Sequence, residues 1–439
     1  MPKVLLISYI YPPSGAGGSP RLVRWTRAIA NAGYQPIVLT VKEVYDRTND
    51  PGLLSDVQKI ARIERAGSLD PKRVLYLLQN ALKKNQRVPD PESPAGPENS
   101  SAPVSFWGFL QKLRNWLMVP DDMIGWMPFA LWRASRIIRK EKPVLIITSS
   151  WPHSVQLIGL ALKKIFGLPW LADFRDNWSR HPYYFFPTSL HRRLNALMEK
   201  CVVNNADLIT LAYGLDGAQK AYPEHMTKFH RLTNGFNELD FLSVKPADLS
   251  GFNLIHLGSF YGAHGPKHFF SALSQLAKKR PEIKSEVKVW IIGLFYPEHI
   301  DQARQHHIED LVQFRNFIPH SQTAAWMFGA DALLLFLDSD PKEAAVIPGK
   351  VFEYIRAPAW ILAMIPEGET AEILRSAGGA IIVPGNQPDQ IEAALVRLYD
   401  LWKQGKKPER NMEYVMTKGE NQLGREMIGL IQSLAGPQK

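Results

Sequence analysis

A single cysteine, Cys201, stands among the 439 residues. This excludes an intrachain disulfide framework and any zinc or iron–sulfur site built on several thiolates. No apolar run approaches the roughly 18 residues that a membrane span requires. The opening Met1-Pro2-Lys3-Val4-Leu5-Leu6-Ile7-Ser8-Tyr9 has too short an apolar part for a secretory leader and reads as a buried strand, so a reducing, cytoplasmic setting is expected. Acidic residues are in deficit, 42 Asp and Glu against 52 Lys and Arg, for a formal net charge of +10. The imbalance lies in the first half, where residues 1–250 carry 32 basic against 21 acidic side chains. Such asymmetry either turns that half toward an anionic partner, such as a phospholipid surface, a lipid-phosphate substrate or nucleic acid, or is a solvated surface with no partner. Nucleic acid is disfavoured, because the chain has no recognised binding module and no basic platform interleaved with stacking aromatics. With 45% apolar and 21% charged residues, the bulk of the chain is a folded globular protein.

Strand and helix alternate along most of it. A strand over 3–9 leads into the loop Tyr11-Pro12-Pro13-Ser14-Gly15-Ala16-Gly17-Gly18-Ser19-Pro20. In the helix that follows, Leu22, Trp25, Ala28, Ile29 and Ala32 recur at three- and four-residue spacing until Gly33 stops it. The next strand, 36–41, is apolar throughout, as a strand covered on both faces must be. The rhythm breaks over about 43–120, where charged stretches read as helical and a proline- and serine-rich insertion, about 85–104, is expected to be a mobile surface loop. Residues 106–118 interleave Phe106, Trp107, Phe109 and Trp116 with Lys112 and Arg114, which suits either an interfacial membrane helix or a helix docked on the core. Strands are expected again at 144–148, 170–173 and 208–211. After a crossover near 233–250, a second cycle places strands at 253–257, 287–293, 312–314, 332–336, 360–364 and 379–383. The economical reading is α/β, two doubly wound domains over 1–235 and 236–400, with helices over 401–439 packing back toward the first. The functional site is then expected between the domains, at the carboxyl ends of their strands.

The first loop invites comparison with the dinucleotide fingerprint. Gly15 and Gly17 match its first two positions, but Pro20 takes the last, and Leu39-Thr40-Val41-Lys42 offers no acidic residue for a ribose. Gly15, Gly17 and Gly18 remain either a plain tight turn or a donor-binding loop, whose free amides at a helix start would meet the anionic part of a donor substrate.

The opening Tyr11-Pro12-Pro13 with Gly17, Gly18 and Arg21 resembles the N-terminus of family 4 glycosyltransferases. The stretch Ser149-Ser150-Trp151-Pro152-His153-Ser154 and the later Asp173-Phe174-Arg175-Asp176-Asn177-Trp178 resemble a subgroup with an Asp-Phe-Arg-Asp-x-Trp signature. Leu257-Gly258-Ser259-Phe260-Tyr261-Gly262 and Pro348-Gly349-Lys350-Val351-Phe352-Glu353-Tyr354 extend the resemblance into the second half. It implies a GT-B fold, two Rossmann-like domains facing across a cleft. It also implies a retaining, metal-independent transfer from a nucleotide-diphosphate sugar, with no cofactor beyond that substrate; the sequence shows no convincing Asp-x-Asp metal motif. The acceptor is expected to be lipid-linked or a saccharide, in bacterial surface polysaccharide or glycolipid assembly. An anionic membrane surface is a further expected partner.

The resemblance carries roles to particular residues. Glu353 matches the second glutamate of the family's paired motif and would accept both ribose hydroxyls. The first glutamate is replaced by Ala345, with Glu343 nearby as a substitute for donor contact. Lys350, with the amide of Gly349, and Lys267, after the loop begun by Gly258, would meet the diphosphate. His264 stands where the family often has an arginine, and Ile318 where the base is held by backbone groups. Arg175 takes the place of a family histidine and suits charge stabilisation, since a guanidinium is no base. Asp173 and Asp176 are either its catalytic companions or its ion-pair partners, and His153, His181 and Arg21 are weaker candidates. Ala345 and Arg175 also leave open a non-catalytic GT-B scaffold or nucleotide-binding regulatory protein.

Overall fold

Strands three to seven residues long, most of them apolar, build two separate sheets. The computed structural model describes residues 1–42, 48–71, 73–74, 116, 118–181, 184, 186–260 and 265–435. They divide into two units. Met1–Asp90, Ser100–Thr233 and Leu423–Lys439 form the first, and Asn234–Gln422 the second. The expected loop at 85–104 lies outside the described residues, as do residues 106–118 apart from Trp116 and Met118.

The first sheet comprises β1 Lys3–Ile7, β2 Gln35–Val41, β3 Arg62–Ala66, β4 Leu145–Ser150, β5 Trp170–Phe174, β6 Leu208–Leu211 and β7 Phe229–Arg231. All are parallel, in the order β3-β2-β1-β4-β5-β6-β7. Its helices are α1 Ser19–Asn31, α2 Pro51–Gln58, α3 Met127–Glu141, α4 Ser154–Phe166, α5 Ser189–Asn205 and α6 Asp216–Ala221. Because side chains alternate along a strand, Leu5 and Ile146 join Ile138, Ile158 and Val202 of α3, α4 and α5 on one face. Their neighbours Leu6 and Ile147 join Leu22 of α1 and Leu53 of α2 on the other. That second core also takes Met427 and Ile431, which lie near the end of the chain.

The second sheet holds β8 Phe252–Leu257, β9 Val287–Ile292, β10 Val312–Arg315, β11 Ala332–Phe336, β12 Trp360–Met364 and β13 Ala380–Val383, parallel in the order β10-β9-β8-β11-β12-β13. Its α-helices of five or more residues are α7 Lys267–Lys279, α8 Pro297–Gln305, α9 His320–Gly329, α10 Lys350–Arg356, α11 Glu369–Ala377, α12 Pro388–Lys403 and α13 Met412–Met416, and α14 Glu420–Ala435 ends the described chain. Each sheet reverses its direction of winding once, between β1 and β4 and between β8 and β11. Chains leaving adjacent strands in opposite directions open a crevice there, which is where open α/β sheets bind ligands.

The charged stretch after residue 43 is corrected at β3, which sequence reading took as helical. This edge strand alternates Arg62, Glu64 and Ala66, and buries Glu64 between Arg62 and Arg133 of α3. Ion pairing rather than apolar content keeps it in the sheet, so no hydrophobic pattern announced it. No described helix is long and apolar enough to cross a membrane.

Candidate functional site

In the second unit the chain leaves β8 through Gly258, whose φ of +135° suits glycine. Beside it, across the switch point, the loop after β11 delivers Lys350 as the first residue of α10. A Cβ on Gly258 would collide with the Lys350 ammonium, so the absence of a side chain makes room for the charge. That ammonium lies 3.4 Å from Nε2 of His256, and Nδ1 of the same ring lies 3.0 Å from the Leu334 carbonyl. A carbonyl only accepts, so Nδ1 carries the proton and Nε2 offers its lone pair to Lys350. His256 is buried, stacked on Phe260 at 4.5 Å and met edge-on by Phe336. Burial, reinforced by the Lys350 charge, holds its pKa well below the usual histidine value. Lys350 is itself pushed down to about 8 by burial, opposed by Glu353 one turn along α10.

Glu353 lies 4.0 Å from Nε2 of His320, which is 3.1 Å from Asp240. His320 opens α9 two residues after Ile318, which is buried. Gly349 precedes α10, and a Cβ there would lie 3.7 Å from the Asn234 side-chain amide, an ordinary contact. Lys267 is exposed at the first residue of α7. His264 lies outside the described residues.

Glu343 corrects an expectation. It sits in the 3-10 turn Pro341–Ala345 with its side chain fully buried, so it is not presented to a sugar in place of the glutamate missing at Ala345. Asp338 and Asp340 each accept, through Oδ1, the backbone amide two residues on, that of Asp340 and of Lys342. Among the described residues, no three His, Cys, Asp or Glu side chains gather as metal ligands would.

In the first unit the loop after β1 reaches α1 at Gly18. A Cβ there would overlap Nη1 of Arg175, whose Nε and Nη2 each donate at 2.7 Å to the carbonyls of Ser150 and Trp151. The guanidinium is thus pinned at the end of β4 and laid against the glycine loop. Burial lowers its pKa, with Asp176 and Asp173 opposing, and an arginine keeps its charge under such a shift. Gly15 donates its amide to the Thr48 carbonyl at 2.6 Å, whereas Gly17 has open space where a Cβ would be. The Ser19 hydroxyl is buried with no hydrogen-bond partner among the described residues.

Asp173 pairs with Arg21, not with Arg175. Nη2 of Arg21 donates to Oδ1 at 2.8 Å and Nε to Oδ2 at 3.3 Å, while Thr210 and Ser149 hydroxyls fill the remaining lone pairs at 2.8 and 2.7 Å. Both partners are buried. A carboxylate so occupied positions strands and is closed to substrate, which corrects its assignment as a catalytic companion. Asp176 is exposed. His153 stacks on Trp178 at 4.8 Å, with Tyr184 edge-on at 5.5 Å, and burial, with His181 and Arg175 adding, pushes it down to about 3, so it is neutral. Sequence reasoning missed His256 and His320, which carry no local signal, and gave Arg21 too little weight.

Gly18→Ala is expected to displace the Arg175 guanidinium. Activity should fall about tenfold or more, the scale of one weakened charge-stabilising contact, while the melting temperature stays nearly unchanged. Assay and thermal denaturation of the same preparation check this, and unaltered activity would refute it.

Residues 251–400 match the family model described as glycosyl transferases group 1. No curated protein sequence matches the chain. Among solved structures, sucrose-phosphate synthase from Thermosynechococcus elongatus superposes with a TM-score of 0.66 at 14% identity, over 99% of each chain. The α,α-trehalose-phosphate synthase (UDP-forming) from Burkholderia xenovorans, in complex with glucose-6-phosphate, gives 0.59 at 12%, over 99% of this chain and 100% of that one. WaaG, a glycosyltransferase involved in lipopolysaccharide biosynthesis, gives 0.57 at 13%, over 99% and 100%. At these identities the likeness is one of fold, and the fold is GT-B.

Proposed function

We propose that this protein is a glycosyltransferase that moves a sugar from a nucleotide-diphosphate sugar to a saccharide or lipid-linked acceptor, with retention of configuration. The observation that carries the reading is the Lys350 ammonium, held by a neutral histidine over a glycine at the switch point and one turn from Glu353, within the stretch that matches the group 1 model. In this reading Glu353 accepts the two ribose hydroxyls and Ile318 offers backbone groups to the base. Lys350 and Lys267 then neutralise the diphosphate as its bond to the sugar's anomeric carbon breaks. The acceptor oxygen forms the new bond from the face the diphosphate leaves, and its proton passes to a departing phosphate oxygen. Charge stabilisation by side chains makes a metal ion unnecessary.

The first unit would take the acceptor, with the pinned Arg175 and the amides of Gly17 and Gly18 favouring an anionic group on it. The basic N-terminal half supports work on surface polysaccharide or glycolipid at the cytoplasmic side of a membrane. Ala345 and the buried Glu343 favour a second reading, a scaffold that binds nucleotide and transfers nothing.

Thermal denaturation with UDP, GDP, ADP and their sugars tests the site. One nucleotide should stabilise the protein by about 2.7 kcal/mol at a hundredfold excess over its Kd, and Glu353→Ala should remove the effect. Stabilisation that survives Glu353→Ala, or none from any nucleotide, overturns the donor site. Binding without slow hydrolysis or transfer of any sugar assigns the scaffold instead.

A further inference from the structure

Helices α3, α4 and α5 lie side by side on one face of the first sheet, and their outer surface is unusual for a soluble layer. On α5, Leu190, Leu194 and Leu197 recur at helical spacing on the side away from the core, 58%, 39% and 59% exposed. The helix seats on the sheet through His191, Asn195, Glu199, Val202 and Val203, so the leucine stripe is separate from the face that seats it. An amphipathic helix ordinarily turns its apolar stripe toward the core, and here the leucines face away from it. Arg192, Arg193 and Lys200 flank it, all exposed. The helix's one acid, Glu199, is turned inward to the amide of Ser179.

The same chemistry repeats across the layer. On α3, Trp132 is 59% exposed with the Arg136 guanidinium stacked 4.8 Å over its ring, and Phe129 is exposed one turn earlier. Arg139 and Lys140 follow toward the helix end, where Glu141 is neutralised by Lys3 and Arg62. Between these helices, α4 exposes Lys164 and Ile165. Apolar side chains thus protrude among cations whose neighbouring acids are paired or turned away.

We propose that the outer face of α3, α4 and α5 docks onto an anionic phospholipid bilayer. Leucines and aromatic rings enter the headgroup–acyl boundary while arginines and lysines meet lipid phosphates, the arrangement by which interfacial helices bind. Charge complementarity selects this occupant. A second copy apposed through the same face would set like charges against each other, and a nucleic acid would gain nothing from buried leucines. The inference names the surface for the membrane setting proposed above, yet it rests on this face alone and is read out separately from nucleotide binding and transfer.

Cys201, exposed on α5 one turn beyond Leu197 and the chain's one cysteine, makes the test specific. The full-length protein is labelled there with a polarity-sensitive fluorophore and mixed with phosphatidylcholine vesicles with or without phosphatidylglycerol. Co-flotation and a blue-shifted emission are expected only with the anionic vesicles, weakening with salt. Leu190→Ser/Leu194→Ser/Leu197→Ser should lower partitioning about tenfold or more and Arg193→Glu/Lys200→Glu comparably, with melting temperature and nucleotide binding unchanged. Leu239→Ser/Leu242→Ser, also exposed but in the second unit, should leave partitioning unaltered. Flotation without a spectral shift, or equal flotation by the triple serine variant, overturns the proposal. A concentration-dependent dimer that the triple variant abolishes, with no vesicle binding, assigns the face to a second copy.

Discussion

Lys350→Met is expected to lower kcat/KM about a thousandfold, the upper range for removing one preorganised charge-stabilising group, with the fold intact. The ammonium is built in at the switch point rather than draped over it. Gly258 leaves room for it, and His256 accepts its hydrogen bond while donating to the Leu334 carbonyl at 3.0 Å. A neutral acceptor orients the charge without cancelling it, which leaves it for a diphosphate. The same environment predicts a pH dependence. Burial lowers the Lys350 pKa to about 8, so the free protein holds the ammonium below that pH and loses it above. Nucleoside diphosphate affinity should therefore be level below pH 8 and fall about tenfold per unit above it, with a proton taken up on binding. Titration calorimetry in buffers of different ionisation enthalpy measures that proton. Lys350→Arg, always charged, should bind without this slope. A wild-type affinity flat to pH 9.5 would show that Lys350 does not meet the phosphates.

Asp173→Ala is expected to destabilise the first unit by about 3–5 kcal/mol, the range for stripping one partner from a buried ion pair. Arg21 also donates to the carbonyls of Leu232 and Thr233, both at 2.8 Å. Asp173 therefore links α1, β4, β6 and the end of the first unit through one carboxylate. Without it the guanidinium loses its counter-charge, and Ser149 and Thr210 lose an acceptor. Chemical denaturation followed by the first unit's tryptophans gives the size of the loss. Folded Asp173→Ala should retain most of its activity, because the carboxylate is closed to substrate. Destabilisation under 1 kcal/mol with a collapse of activity would return Asp173 to the catalytic group.

The strands of both sheets, β3 and β7 excepted, were legible along the chain because a strand covered on two faces is an apolar run bounded by glycine, proline or charge. That is a local property. β3 was not legible, since ion pairs seat Glu64 and Arg62 where a hydrophobic pattern was sought. β7, three residues long, is too short for any period. Within the candidate site, motif spacing placed Lys350, Glu353 and Arg175 on the page but could not say what each one touches. His256 precedes Lys350 by 94 residues, and Arg21 and Asp173 are 152 apart. Such pairs exist only because particular strands end side by side.

By itself, then, the amino-acid sequence determined two parallel α/β sheets, the loops at their switch points and a basic first half. Those follow from hydrophobic period, turn chemistry and charge count, all read within a few residues. Tertiary structure alone decided that Asp173 is occupied by Arg21, that Glu343 is buried, that His256 holds Lys350, and that α5 carries leucines on the side the core leaves uncovered. Burial and hydrogen-bond partnership belong to whichever distant segments come into contact, and a residue's sequence neighbours carry no record of them.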